Sequence, residues 1–65
     1  MALILKTPRD EAPIILSILS YQGNDFDAEL DEERNVYYIK VYCLQNMKKY
    51  IKELTENFVI EFKEE

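Results

Sequence analysis

Between Asp25 and Cys43 the chain carries two strand-like runs almost end to end, and this pair limits its fold more than any other feature. In the first, Phe26, Ala28 and Leu30 alternate strictly with Asp25, Asp27, Glu29 and Asp31. A period of two puts the apolar groups on one face of a half-exposed strand. The second run, Val36-Tyr37-Tyr38-Ile39-Lys40-Val41-Tyr42-Cys43, is rich in β-branched and aromatic residues. Ala28 to Arg34 also contains good helix formers, but the β-rich run directly after it favours a hairpin.

The segments on either side repeat a common order. Ala2 to Thr7 is a short apolar run ended by Pro8, the composition of a buried strand. Asp10-Glu11 then precede apolar residues at 12, 15, 16 and 19, which is helical spacing with carboxylates at the positive end of the helix dipole. Proline is tolerated in a first turn but costs roughly 3 kcal/mol in a helix interior, so Pro13 places the start near Asp10. Gly23, the single glycine, predicts a left-handed stop. Beyond the hairpin, Leu44, Met47, Ile51 and Leu54 fall at i, i+3, i+7 and i+10, with Lys48, Lys49, Lys52 and Glu53 outside, an amphipathic helix. Phe58, Ile60 and Phe62 alternate with Val59, Glu61 and Lys63 in a closing strand.

The order is strand, helix, strand, strand, helix, strand. Right-handed crossovers interleave the two halves into one four-stranded antiparallel sheet with both helices on one face. The expected fold is a single α+β domain over residues 1–65, ferredoxin-like, with spatial strand order fourth, first, third, second. Its acidic second strand lies at an edge, where charge discourages unwanted strand pairing.

Composition narrows the chemistry. With 65 residues the chain buries only about 60% of the surface its unfolded form exposes, so self-association is the default expectation. There is no histidine, which removes the imidazole base, the Ser-His and Cys-His nucleophiles and the usual zinc site. Cys43, the single cysteine, cannot form an internal disulfide and is read as a small core residue. Asp25 to Asp31 superficially matches the alternate oxygens of a calcium loop, but Leu30 stands where the loop needs glycine and Val36 where it needs glutamate. No enzyme activity, metal or cofactor is expected. The longest uncharged stretch, Ala12 to Asn24, is too short to span a bilayer, and the apolar residues 1–5 lack the basic leader of a signal peptide. These features predict a soluble protein of a reducing, cytoplasmic compartment.

Charge is unevenly placed: residues 24–36 sum to −5 and residues 37–52 to +4, within a net charge of −5. That balance opposes nucleic-acid binding, because phosphate neutralisation by clustered Lys and Arg supplies most of such affinity. The basic group is Lys48, Lys49 and Lys52.

Two surfaces remain. The core face of the sheet is expected to hold Leu3, Leu5, Phe26, Ala28, Leu30, Tyr37, Ile39, Val41, Phe58, Ile60 and Phe62. The opposite, open face carries Ile4, Lys6, Asp27, Glu29, Tyr38, Lys40, Tyr42, Val59, Glu61 and Lys63. RNA-recognition modules share this topology and stack bases on third-strand aromatics; here Tyr38, with Lys40 and Tyr42, is the corresponding surface, but Val36 and Val41 occupy the other stacking positions. RNA binding by the open face is therefore the alternative reading, against cross-strand pairs on a wet face. On the first helix, Ala12, Ile14, Ile15, Leu16, Ile18, Leu19 and Tyr21 cover roughly 220° of the circumference, about twice what one core-facing stripe needs. Ile14, Ile18 and Tyr21 are the candidate contact between subunits.

With this element order the whole chain resembles the ACT-like regulatory domains. It is closer still to a set of short stand-alone bacterial proteins grouped as a domain of unknown function. Shared with the latter are a leading apolar strand, the acidic helix start Asp10-Glu11-Ala12 and the aromatic-x-Gly helix end Tyr21-Gln22-Gly23. The ACT resemblance implies homodimers or larger oligomers that bind amino-acid-sized ligands where the first strand–helix loop meets a neighbour's helix. Carried onto this chain, the ligand residues are Thr7, Arg9, Asp10 and Glu11, although Ala12-Pro13-Ile14 lacks the glycine usual near that helix start. The expected function is a non-catalytic regulatory or interaction module.

Overall fold

The computed structural model describes residues 2–65. Its elements are β1 (Ala2–Pro8), α1 (Ala12–Tyr21), β2 (Asp25–Asp31), β3 (Val36–Tyr42), α2 (Lys48–Thr55) and β4 (Glu61–Glu64), with a 3-10 turn at Gln45–Met47 leading into α2. The four strands form one sheet in the order β2-β3-β1-β4, every neighbouring pair antiparallel. This is the ferredoxin-like α+β arrangement.

Register sorts the side chains. Leu3, Leu5 and Thr7 stand opposite Val41, Ile39 and Tyr37, which in turn stand opposite Phe26, Ala28 and Leu30. These share the helix side of the sheet, and Leu3, Leu5, Ile39 and Val41 join Ile15, Leu19 and Ile51 of the helices in the buried cluster. All the fully buried strand residues come from β1 and β3, the two central strands. Ala28, expected in the core, is exposed: it stands on an edge strand, and its methyl group stops short of the buried cluster that the longer Phe26 side chain reaches.

Helix α1 starts two residues later than Asp10, with Glu11 as N-cap and Pro13 inside the first turn. Its other end is a Schellman motif: the Gly23 N–H donates to Ser20 and the Asn24 N–H to Leu19, with Gly23 at φ +76°.

Three expectations are corrected. Helix α2 begins only at Lys48, so Leu44 lies outside it, extended and 72% exposed. Its buried face is Lys48, Ile51 and Thr55 rather than one with Lys48 outside. The Lys48 stem covers apolar surface while its Nζ reaches Glu64 Oε1 at 3.5 Å. Strand β4 starts at Glu61, not at Phe58. The preceding residues turn inward: the Phe58 N–H donates to Thr55 and the Ile60 N–H to Lys6, so Phe58 and Val59 both pack on the core and Ile60 is left 56% exposed. Val59 therefore does not belong to the open face, nor Ile60 to the core.

Candidate functional site

The loop between β1 and α1 is built by backbone bonds. The Arg9 N–H donates to Asn35 O at 3.0 Å and the Glu11 N–H to Pro8 O at 3.0 Å, which ties the loop to the start of β3. Arg9 and Asp10 project into solvent and Glu11 is half-buried. Thr7 differs from them. As the last helix-facing residue of β1 it is fully buried, and its hydroxyl donates to Phe58 O at 2.6 Å. That hydroxyl holds the end of α2 and the start of β4 against the central strand, and it does not reach the loop surface. Arg9 makes no ion pair among the described residues.

Helix α1 buries Ala12, Ile15 and Leu19 against the sheet. Its outward side shows Pro13, Ile14, Ser17, Ser20 and Tyr21, with Ile18 half-buried. Ile14 is 43% exposed and Tyr21 89% exposed, and no residue of the helix is charged. On the same layer α2 leaves Tyr50 43% exposed. Sequence reading missed Tyr50 because it falls between the lysines of a helix face that looks entirely polar.

On the opposite side of the sheet the β-register lines up rows of side chains. Asp27, Lys40, Ile4 and Lys63 form one row, and Glu29, Tyr38, Lys6 and Glu61 the next. Tyr38, Lys40 and Tyr42 therefore lie on one open face as the alternation requires. Two of them are already engaged. The Tyr42 hydroxyl donates to Asp27 Oδ2 at 2.8 Å, which, with burial adding to it, holds that hydroxyl above its ordinary value of 10.0. Lys40 Nζ donates to Glu65 Oε1 at 2.6 Å and sits 5.6 Å from the Tyr42 ring centre. The hydrogen bond raises Lys40 above 10.5 and lowers Glu65 below 4.5. The neighbouring Tyr38 hydroxyl, with Asp31 adding to it, holds Arg34 above its ordinary value. Tyr42 and Lys40 are thus each bound to a carboxylate, Asp27 of β2 and Glu65 respectively, rather than held open for phosphate.

Cys43 is free and half-buried against the core. Among the described residues no group of three or more Cys, Asp and Glu side chains is placed to hold a metal ion, and no helix is long and apolar enough to cross a membrane. Comparison of the chain with protein-family models, with curated proteins and with solved structures gives no match.

Proposed function

We propose that this domain is a non-catalytic interaction module that pairs with a second copy of itself through the helix layer, with α1 at the centre. The observation that carries the reading is the outward side of α1: a ten-residue helix without a charge that leaves Ile14 and Tyr21 in solvent. Ordinary surface helices place charges on the outward side, and contiguous apolar surface on a small domain marks a contact. A helix of this length spans only about 15 Å, whereas a stable interface buries roughly 800 Å² per partner, so Tyr50 of α2 joins the contact. A second copy is the occupant that fits best, since the α1 centre of the contact carries no charge to complement a charged partner. The regulatory form of this reading adds a small ligand held near Arg9, Asp10 and Glu11, at the end of the same helix. Thr7 would then support the loop from below.

Sedimentation equilibrium tests the pairing. The wild-type chain is expected to be a dimer, and Ile14→Arg together with Tyr21→Glu to weaken association by about 100-fold or more while leaving the circular dichroism spectrum unchanged. A wild-type monomer at every concentration, or a dimer indifferent to both substitutions, would sink the proposal. The RNA alternative makes the opposite prediction: Tyr38→Ala with Tyr42→Ala would abolish a salt-sensitive RNA-binding signal and leave the oligomeric state alone.

A further inference from the structure

On the face turned away from the helices, Ile4, Lys6, Tyr38, Glu61 and Lys63 line a cavity of about 300 Å³, at the lower end of the range for small-molecule sites. Register explains how they meet. Lys6 stands between Tyr38 on β3 and Glu61 on β4, and Ile4, two residues earlier on the same face, stands opposite Lys63. Ile4 and Tyr38 are half-buried and give the cavity an apolar floor and wall.

Its charge is unusual for this molecule. Arg34, Lys40, Lys48 and Lys52 each make an ion pair with a carboxylate. Among the described residues Lys6, Arg9, Lys49 and Lys63 do not, and two of these four border the same cavity. Lys6 and Lys63 are diagonal neighbours across two antiparallel strands, with Cβ atoms roughly 7 Å apart. One carboxylate between their ammonium groups would touch both and relieve their mutual repulsion. With Glu61 the lining sums to +1, from two lysines and one glutamate, in a chain whose net charge is −5.

We propose that this cavity binds a small organic monocarboxylate with an apolar body. The carboxylate lies between Lys6 and Lys63, and the body rests on Ile4 and the Tyr38 ring. Glu61 sets the selectivity, because its charge at the rim disfavours anions that carry more than one negative charge. The site lies on the face opposite α1 and stands or falls independently of the self-association proposed above.

An amide-resolved NMR titration with phenylacetate tests it, with benzyl alcohol as a neutral body of similar size and inorganic phosphate as an anion without one. Phenylacetate is expected to shift Ile4, Lys6, Tyr38 and Lys63 saturably with Kd on the order of 1 mM, and the other two probes to give no saturable shift. Lys6→Gln with Lys63→Gln should weaken binding about tenfold or more, and Glu61→Gln should tighten it a few-fold. Unchanged amides at buried Leu5 and Ile39 would verify that the variants fold, and Lys6→Arg should retain binding if they do not. An absence of saturation with phenylacetate, an equal response to benzyl alcohol or phosphate, or binding that survives loss of both lysines would each overturn the proposal.

Discussion

Lys40 and Glu65 form the shortest ion pair among the described residues, 2.6 Å, and both shifts it produces point to the same pH window. Glu65 is held below 4.5, so its contribution is fully present above that value and fades as pH falls through its lowered one. Lys40 is held above 10.5, so its contribution is fully present below that value and fades as pH climbs through its raised one. The pair therefore holds the end of the chain on β3 between about 4.5 and 10.5. A carbon-detected titration is expected to place the Glu65 midpoint below 4.5, and Glu65→Gln to bring Lys40 back toward 10.5. A Glu65 midpoint at or above its ordinary value would show that the pair does not form in solution. At the same scale Lys48 shows what residue type hides: it is 4% exposed, yet its Nζ sits 3.5 Å from Glu64 Oε1. Periodicity treats a lysine as outward, whereas the stem and the ammonium obey different preferences.

Helix α1 was legible element by element because its signals are local. Pro13 fits only the first turn, and Gly23 supplies the positive φ that its Schellman end requires. At Gly23 an added Cβ would meet nothing within 4 Å, so the cost of Gly23→Ala is the left-handed backbone alone. Thermal or denaturant unfolding is expected to show a loss of about 1 kcal/mol, with Gly23→Asn costing less. A loss well above that figure would mean that some contact is also broken. Helix α2 and strand β4 were less legible, because their starts are set at a distance. The Ile60 N–H bonds to Lys6 and the Thr7 hydroxyl to Phe58 O, so the chain is drawn inward before the β4 ladder begins. Alternation from Phe58 onward contains no trace of a hydroxyl 51 residues away. The candidate surfaces divide in the same way: an uncharged helix side can be counted along the chain, while the cavity needs the register of three strands to exist.

For the whole molecule the sheet order decides which strands carry risk. β2 is an edge, and its free side offers unpaired backbone groups to any passing strand. Antiparallel pairing of two copies centred on Ala28 would set Asp27 against Glu29 and Asp25 against Asp31, on the face where all four point. Like charges directly opposite destabilise such a pair. Replacing Asp27 by Asn and Glu29 by Gln is expected to leave the monomer fold intact but to raise light scattering on concentration at neutral pH, and scattering unchanged from wild type would show that the acids do not guard this edge. The helix layer and the open sheet remain free for separate contacts, because the fold covers only one side of its sheet.

The exposure of Ala28 has a consequence for motion as well. β2 is attached along its full length to β3, from Asp25 opposite Tyr42 to Asp31 opposite Val36, but little is packed on top of it. Its hold on the molecule is a ladder of backbone bonds, the Tyr42–Asp27 hydrogen bond and the Phe26 ring against the core, whereas β1 and β3 carry the fully buried strand residues. Opening of β2 would thus disturb fewer apolar contacts than opening of either central strand, chiefly that of Phe26, and hydrogen exchange is expected to be faster at the β2 amides than at those of β1 and β3.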